Sequence, residues 1–345
     1  MSGSGVPFLD ACNHRETEHA PVWFMRQAGR YLPSYRRIKG DRNILDVAKD
    51  PDLASEVAVD AVNALGVDAG IIFADIMLPL EAIGVRFTIQ ENVGPVVSNP
   101  VRTTDDVNSL GVLDPEADLP YVYDGIDATI QKLDGRVPLI GFSGAPFTLA
   151  AYMIEGGPSR DLEKTKTLMF SEPEVWGTLM KRLAGMVGAY LAEQVRHGVA
   201  AVQLFDSWVG SLSASDYSRF VLPFTREIFD SVSSVPRIHF CADSSVLIEE
   251  FHRTGPEVLS IDWRIPISDV WSRCGESVSV QGNLDPAAAM AGGREMEKRV
   301  SEILEVARGH AGHIFSLGHG VLRETDPENL RRIVKQVHET TSERR

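Results

Sequence analysis

Basic side chains are concentrated in one short stretch of an otherwise acidic chain. The whole sequence has a formal net charge of −14, yet the segment from Arg26 to Arg42 contains six basic residues and a single acid, Asp41. Aromatic side chains, among them Trp23 and Tyr31, are interleaved with these charges. Charged groups that converge on an apolar cleft are typical of small-molecule sites. The stretch therefore predicts a pocket for a flat, partly apolar anion, with a solvated basic loop as the alternative.

A second set of polar residues stands where short apolar runs end. Asp75 is surrounded in sequence by Ile, Phe and Met, Ser207 follows Asp206, and His319 lies between two glycines. A carboxylate in apolar surroundings needs hydrogen-bond donors or a cation, because unpaired burial raises its pKa. Simpler interpretations are a helix cap for Asp75 and core packing for Tyr152. We expect Asp75 and His319 to be functional.

Short runs rich in Val, Ile and Phe alternate with longer segments of helical spacing, which is typical of a parallel sheet buried on both faces. The predicted strands are Val22–Met25, Ala69–Ala74, Pro138–Phe142, Ala200–Phe205, Arg237–Phe240, Val258–Ile261, Val278–Gln281 and His313–Leu317. The predicted helices are Asp50–Leu65, Tyr123–Leu133, Glu172–His197, Asp216–Ser231, Ser244–Arg253, Pro266–Arg273 and Asp285–Arg308.

This alternation predicts an α/β fold, a single-domain (β/α)8 TIM barrel that spans residues 1–345. A doubly wound sheet with a second domain is the alternative. Two inserts interrupt the pattern: Val85–Val101, after the second strand, has the alternation of a β-hairpin around Gly94-Pro95, and Gly156–Lys166 resembles a mobile polar loop. A barrel has its active site at the carboxyl ends of its strands, and polar residues follow five of the predicted strands.

Familiar cofactor motifs are absent from the sequence, which has neither a Walker phosphate loop nor a Gly-x-Gly-x-x-Gly segment after a strand. One pair of residues has metal-ligand spacing: His239 and Cys241 project from the same face of a predicted strand. Zinc would need further ligands, with Cys274 or His319 as candidates. Packing is the simpler interpretation of the pair, and we predict no bound metal.

Composition narrows the class of protein. Three cysteines do not make a disulfide framework, and the amino terminus lacks the pattern of a secretory signal, so we expect a cytoplasmic protein. The longest apolar candidate, Ala69 to Val85, is interrupted by Asp75, Pro79 and Glu81, which argues against a membrane span. The acidic balance argues against nucleic-acid binding.

Two long motifs carry a resemblance to a known family. Met25–Pro33 (MRQAGRYLP) and Gly141–Leu149 (GFSGAPFTL), the latter with Tyr152 following it, resemble the two signatures of the uroporphyrinogen decarboxylase family. Shorter segments match in the same order: FADI at Asp75, FDSW at Ser207, and LGHG at His319. The likeness covers essentially the whole chain. It implies a cofactor-free barrel, usually a homodimer, that removes CO2 from the four acetates of uroporphyrinogen III to give coproporphyrinogen III in haem biosynthesis.

The resemblance also implies the roles of individual residues. Asp75 and Arg26 would be catalytic, Asp75 by stabilising positive charge on the substrate and Arg26 as a proposed proton donor, although arginine is a poor acid. Arg30 would anchor substrate carboxylates. The substrate-binding residues that it implies are Arg26, Gln27, Ala28, Gly29, Arg30, Asp75, Tyr152, Ser207 and His319.

Two other functions remain open at this stage. A zinc-dependent corrinoid methyltransferase of the same superfamily is the first, because such enzymes use a His-x-Cys pair like His239 and Cys241. The intact segment from Arg26 to Arg30, together with Asp75, argues against it. A noncatalytic tetrapyrrole-binding protein is the second, and it differs from an enzyme only in failing to release CO2.

Overall fold

The computed structural model describes residues 5–90, 93–243 and 245–342, in which strands alternate with helices along the chain. The strands of this described part are β1 Gly70–Ile71, β2 Phe87–Gln90, β3 Gly94–Val97, β4 Leu139–Gly144, β5 Ala201–Asp206, β6 Arg237–Cys241, β7 Val258–Ser260, β8 Ser279–Leu284 and β9 His313–Leu317. The predicted strand His313–Leu317 is confirmed with the same bounds, and five others with shifts of one to three residues at their ends.

Seven of the strands form one curled parallel sheet in the order β1-β4-β5-β6-β7-β8-β9. Each strand is paired with the next parallel strand along the chain, from Gly70 opposite Leu139 to Leu284 opposite Leu317. This order never reverses direction, whereas a doubly wound sheet has a point of reversal. The doubly wound alternative is therefore wrong, and the α/β prediction is confirmed.

The first predicted strand, Val22–Met25, is wrong in extent. Among the described residues this segment has one isolated parallel bridge, between Val22 and Phe315 of β9. The Trp23 N–H donates to the Phe315 carbonyl (3.1 Å), while the Val22 carbonyl accepts from the Asp68 N–H (2.9 Å). The segment thus connects β9 to the residues just before β1. It ends early because the chain enters a tight turn, in which the Gln27 N–H donates to the Phe24 carbonyl.

The second predicted strand, Ala69–Ala74, is reduced to two residues, since the chain leaves the sheet and turns at Asp75. After it, β2 and β3 pair antiparallel, with Phe87 opposite Val97 and Gln90 opposite Gly94. This ladder occupies the middle of the predicted insert Val85–Val101, of which residues 91 and 92 lie outside the described part. Hydrogen bonds from Ser98 N–H and the Asn99 side chain to carbonyls of Arg86 and Gly84 fix the base of the insert.

Helices lie between the strands. Those of the described residues are α1 Pro7–Cys12, α2 Pro33–Lys39, α3 Ile44–Ala48, α4 Pro51–Leu65, α5 Leu78–Ala82, α6 Thr104–Ser109, α7 Pro115–Asp118, α8 Pro120–Leu133, α9 Pro146–Glu155, α10 Glu163–Ser171, α11 Pro173–Arg196, α12 Ala214–Phe220, α13 Leu222–Ser231, α14 Ile248–Arg253, α15 Ile267–Cys274, α16 Pro286–Ala291, α17 Gly293–Val306 and α18 Pro327–Ser342. None of them has the length and apolar character that crossing a membrane requires.

Four predicted segments differ from the structure. Asp216–Ser231 is two helices, because Pro223 begins a new helix and cannot donate a backbone hydrogen bond within a continuing one. Asp285–Arg308 is also two, separated at Gly292 with φ +67°. The last four residues of the Gly156–Lys166 loop are helical, since α10 begins at Glu163. In Ser244–Arg253, Ser244 lies outside the described residues and a 3-10 turn precedes α14.

The core around the curled sheet carries polar as well as apolar side chains. All six positions of β4, β5 and β8 are buried, as expected for strands covered on both faces. Within this core, Gln281 donates to the Ser260 hydroxyl (2.8 Å), and its side-chain nitrogen lies 3.4 Å from Oε1 of Gln203. Buried amides that are paired in this way fix the relative heights of neighbouring strands, and with them the positions of the strand ends.

Candidate active site

Arg26 stands at the tip of the first turn with an unusual backbone conformation. Its φ is +60°, in the left-handed region that non-glycine residues adopt at a cost of roughly 1–3 kcal/mol. The turn is held from both sides, because the Val321 N–H donates to the Met25 carbonyl (2.9 Å). Gly320 packs on the Arg26 side chain so closely that a Cβ there would lie 2.5 Å from its Cδ. The exposed guanidinium is thus supported by the last strand's loop.

Gln27 is buried and acts within the protein. Its side-chain nitrogen donates to the Ala69 carbonyl (3.0 Å), and its oxygen accepts from the Phe24 N–H (3.3 Å). The Tyr31 hydroxyl donates to the Gln27 carbonyl (2.6 Å). The side chain therefore joins the Arg26 turn to the start of β1. Ala28 and Gly29 follow it and are partly exposed.

Asp75 lies just beyond β1, where the chain turns into α5. Oδ1 accepts a hydrogen bond from the Met77 N–H (2.9 Å) and closes a turn just before α5, whose N-cap is Met77, so the helix-cap interpretation of Asp75 is wrong. Burial raises the pKa of the Asp75 carboxyl, although the Met77 N–H and the charge of Arg26 oppose the rise. The side chain remains partly exposed. It is a carboxylate in apolar surroundings with a spare oxygen, which is a suitable acceptor for donors on a ligand.

Tyr152 and the residues after β5 form the next part of the site. The Tyr152 ring meets Trp208 edge to face, with centroids 5.9 Å apart. Burial raises the pKa of the Tyr152 hydroxyl, so it is a neutral donor near pH 7. The Thr148 hydroxyl donates to Asp206 (2.8 Å) and accepts from the Trp208 N–H (3.3 Å). This bridge fixes the turn that contains Ser207, which is partly exposed.

His319 is a neutral imidazole at the end of β9. Burial and the neighbouring charge of Arg26 lower its pKa to about 4. Its Nδ1 accepts a hydrogen bond from the Gly320 N–H (2.7 Å), which leaves the proton on Nε2. Phe240 of β6 packs against the ring, with centroids 5.7 Å apart. The structure thus provides an oriented N–H donor next to Arg26.

Arg30 and Arg36 differ in their surroundings. Arg30 is partly exposed, and its charge acts on Tyr35, whose ring packs on Phe73 beside the Asp75 turn. Arg36 donates to the carbonyls of Arg30 (2.6 Å) and Tyr31 (3.3 Å). Part of the basic cluster therefore supports the loop itself, while Arg30 remains a candidate for ligand contact.

The structure brings together residues that are far apart in sequence. Arg26 and Asp75 act electrostatically on each other and on Tyr152, and Arg26 acts on His319. Ser207 is adjacent in sequence to Trp208, whose ring contacts that of Tyr152. Arg26 thus lies near Asp75, Tyr152 and His319, at the carboxyl ends of the strands.

One cation at this end was missed by the sequence reasoning. Arg264, in the loop after β7, forms ion pairs with Asp262 (2.7 Å) and Asp243 (2.9 Å) and stacks on Trp263. Its charge helps to lower the pKa of His319. The sequence could have indicated it, because Asp262-Trp263-Arg264 comes directly after a predicted strand, and active-site residues of this fold class follow the carboxyl ends of strands.

His239 and Cys241 do not assemble a metal site in the part of the chain that the structure describes. His239 is fully buried, with Nδ1 3.2 Å from the Thr254 hydroxyl and its ring between Phe229 and Phe251. No other His, Cys, Asp or Glu of the described residues completes a three-ligand group with this pair. Burial lowers the pKa of His239, which is consistent with a packed neutral ring.

Comparisons with known proteins fit this geometry. The model of the family described as Uroporphyrinogen decarboxylase (URO-D) matches residues 5–340. The chain belongs to the uroporphyrinogen decarboxylase family. It is 47% identical over 337 residues to "Uroporphyrinogen decarboxylase" of Streptomyces coelicolor, covering 97% of this chain and 94% of the relative. It is 46% identical to the protein of that name from Carboxydothermus hydrogenoformans, covering 97% and 96%.

Solved structures support the fold of this family member. A "methyltransferase from Methanosarcina mazei" superposes with a TM-score of 0.83 over 97% of this chain and 98% of that one, at 17% identity. A "Putative Vitamin-B12 Independent Methionine Synthase from Listeria monocytogenes" gives a TM-score of 0.58 at 10% identity, covering 95% and 97%. At these identities the likeness concerns the arrangement of strands and helices alone.

Proposed function

We propose that this site binds uroporphyrinogen III and removes CO2 from its four acetate side chains, giving coproporphyrinogen III. The observation that carries the proposal is the placement of Asp75 beside Arg26 at the carboxyl ends of the strands, in a chain of the uroporphyrinogen decarboxylase family. The reaction makes the protein a carboxy-lyase of porphyrin biosynthesis.

Charge complementarity supports this substrate. Uroporphyrinogen carries a carboxylate on each of its acetate and propionate arms, and guanidinium groups pair with carboxylates through two parallel hydrogen bonds. Arg26 and Arg30 are at least partly exposed at the site. In a protein whose net charge is −14, cations gathered in one cleft also attract an anion to that place.

The centre of the macrocycle fits Asp75. The pyrrole N–H groups of the substrate are donors, and Asp75 keeps one oxygen beyond its bond to Met77 for accepting them. Burial raises the pKa of the free carboxyl, so a protonated fraction persists to higher pH than for an ordinary aspartate. Donation by the pyrroles favours the ionised form, and substrate binding would lower that pKa again.

The chemistry requires an electron sink on the ring. A proton added to the ring carbon next to the one that bears the acetate produces a pyrrolium cation. The electrons of the bond to the carboxylate then flow into the ring, CO2 leaves, and an exocyclic methylene remains. That methylene takes a second proton to become a methyl group, and the ring carbon releases the first. The ionised Asp75 stabilises the cation electrostatically, which lowers the barrier where charge develops.

The other residues serve binding and orientation. The Nε2–H of His319 and the neutral hydroxyl of Tyr152 are donors for substrate carboxylates, and Ser207 is a third. Ala28 and Gly29 are partly exposed beside Arg26, and the buried Gln27 supports this turn through its bonds to Phe24, Ala69 and Tyr31. For Arg26 we favour carboxylate binding next to the scissile group over proton donation, since the guanidinium holds its proton far above neutral pH.

We propose further features of the molecule in keeping with this function. Residues 1–345 form one domain, a closed eight-stranded barrel in which Val22–Met25 supplies the missing strand between β9 and β1, and the β2–β3 pair is its hairpin insert. The supporting contacts are the hydrogen bonds of Trp23 and Val22 to both neighbours. The protein works as a cytoplasmic homodimer, its active site needs no cofactor or metal, and it binds neither nucleic acid nor membranes.

The decisive test is anaerobic incubation of the purified protein with uroporphyrinogen III, with products separated by their number of carboxylates. Stepwise loss of four carboxylates supports the proposal. Binding of the porphyrinogen without CO2 release would instead identify a noncatalytic tetrapyrrole-binding protein. Sedimentation analysis at assay concentration tests the homodimer.

The anchoring role of Arg30 has its own test. Arg30→Ala should raise KM by about 10- to 100-fold, because it removes charge-assisted hydrogen bonds to substrate carboxylates. Arg37→Ala is the matched control, since Arg37 is an exposed arginine of the same stretch. Equal KM values in the two variants would remove Arg30 from the site.

A further inference from the structure

Two histidines and an aspartate meet at the end of the barrel away from the candidate active site. Asp68 lies just before β1, His19 lies before the first strand-like segment, and His338 is in α18. His19 Nε2 is 3.0 Å from Asp68 Oδ1, and His338 Nε2 is 2.8 Å from Asp68 Oδ2. The two imidazole rings are 4.1 Å apart between centroids. Residues separated by most of the chain thus share one carboxylate.

The carboxylate of this cluster is held in its ionised form. Burial by itself would raise the pKa of Asp68, but hydrogen bonds from His19, His338 and the Val22 N–H outweigh it and lower that pKa. The Val22 N–H donates to Oδ2 at 2.7 Å. A carboxylate that stays charged and is oriented by the backbone is a ready metal ligand.

We propose that His19, Asp68 and His338 bind one divalent transition-metal ion, zinc foremost. Among the described residues they are the one group of three His, Cys, Asp or Glu side chains whose ligand atoms all lie within 4.8 Å of one another. Ligands held about 2.0–2.2 Å from a tetrahedral ion are separated by about 3.3–3.6 Å, so small side-chain movements open the cluster to the ion. Two imidazoles and a carboxylate form a donor set that zinc commonly takes.

The surroundings of the cluster suit an ion. The side chains of His19, His338 and Asp68 are 16%, 28% and 14% exposed, so an ion can enter and keep water in a fourth position. Glu18 places a carboxylate oxygen 3.7 Å from Nδ1 of His19. Metal-binding histidines usually direct their second nitrogen at such a carboxylate. When the metal takes Nε2, the ring proton moves to Nδ1, where Glu18 faces it.

The ion would act on stability and not on decarboxylation. It would connect the amino-terminal segment, the residue before β1 and the last helix, at the end of the molecule away from the candidate active site. Binding to the folded state alone stabilises a protein in proportion to the logarithm of ligand excess. We therefore expect zinc to raise the melting temperature without changing turnover.

The test uses the full chain, stripped of metal with a chelator and titrated with zinc chloride by calorimetry. The expected result is about one ion per chain and a zinc-dependent rise in Tm. In His338→Gln and His19→Gln the affinity for zinc should fall by more than about 100-fold. Loss of a residue that only supports a metal ligand already costs about 10- to 100-fold in affinity, and loss of a ligand costs more. His252→Gln, which removes an exposed helical histidine elsewhere, is the matched control.

Two further measurements test the zinc site even if His338→Gln or His19→Gln does not fold. Glu18→Gln, at a mostly exposed position, should weaken zinc binding by about tenfold through the second nitrogen of His19. Cobalt(II) bound to the wild type should give tetrahedral d–d absorption without a sulfur charge-transfer band, which excludes the cysteines. Zinc binding that is absent from the wild type, or equal in His338→Gln and His252→Gln, would overturn the proposal.

Discussion

Two aspartates stand at opposite ends of the same short strand, and their environments are opposite. Asp68, before β1, accepts from two histidines and a backbone N–H, and these bonds lower its pKa. Asp75, after β1, has a single backbone donor within hydrogen-bond distance among the described residues, and burial raises its pKa. The first carboxylate is satisfied by the protein. The second is left incompletely satisfied, as a carboxylate intended for a ligand must be.

The same contrast extends to the neighbours of each aspartate. At the carboxyl end, Arg26 adopts a left-handed backbone conformation, and the pKa of His319 is lowered to about 4 by burial and by the charge of Arg26. At the amino end, hydrogen bonds join chain segments that are distant in sequence. One end of the sheet therefore holds groups in costly states, while the other consists of contacts that favour folding.

Replacement of Asp75 should have the largest effect. Asp75→Asn keeps the acceptor for the Met77 N–H but removes the charge that stabilises the cation, so kcat should fall by about 100- to 1,000-fold. Because burial raises the pKa of Asp75 in the folded state, ionising it costs stability at neutral pH, and the variant should melt at the same or a higher temperature. Steady-state kinetics and calorimetry measure both. Near-normal turnover would remove Asp75 from the mechanism.

Gly320 offers a way to displace Arg26 without deleting its charge. A Cβ at this position would lie 2.5 Å from Cδ and 2.9 Å from Cγ of Arg26, so Gly320→Ala must push the guanidinium aside. We expect kcat/KM to fall by about tenfold or more, since misplacing a positioned group by about 1 Å is costly. The control is at Gly177, which has open space around it and an ordinary helical backbone. Gly309 would not serve, because its φ is +83°. Gly177→Ala should leave kcat/KM unchanged.

Asp68→Asn should show the reverse pattern of Asp75→Asn. Removing the charged acceptor leaves three donors poorly paired, and the free energy of unfolding should fall by about 1–3 kcal/mol. Turnover per folded molecule should stay normal. Since the folded-state pKa of Asp68 is lowered, its contribution is present above the ordinary pKa and is lost as pH falls through the lowered one. Denaturant unfolding at several pH values measures the free energy of unfolding. If that free energy depends on pH with the same slope in the variant and the wild type, the prediction is wrong.

The smallest effect is a difference between two titrations. In the free protein the Asp75 carboxyl should titrate above the ordinary aspartate value of about 3.9, and the Asp68 carboxyl below it. Carbon-13 NMR of labelled carboxyl groups measures each directly, with the Asn variants identifying the two resonances. If both titrate at the ordinary value, the contrast between the two ends of β1 is wrong.

Much of this fold could be predicted from local signals. The strand His313–Leu317 and the helix from Pro51 to Leu65 follow from apolar runs and from Asp-Pro and Gly end signals, which depend on nearby residues alone. The errors at Pro223 and Gly292 concern local helix breaks, whereas the error in the first strand occurred where tertiary contacts decide. Val22–Met25 has the composition of a strand, but its ladder ends where Arg26 is turned by contacts with residues 320 and 321.

The candidate site was predictable for a different reason. Asp75 and His319 follow strand ends, and a parallel sheet gathers strand ends whatever the connecting segments contain, so these two could be singled out from position and type. Ser207 and Tyr152, the latter inside α9, became candidates only through the family resemblance. The sequence by itself thus determined the alternation of elements, the family and the residues at one end. Only the tertiary structure decided that Gln27 is used internally, that the charge of Arg264 acts on His319, and that His19 and His338 meet on Asp68. Those interactions join segments whose separation in the chain carries no local pattern.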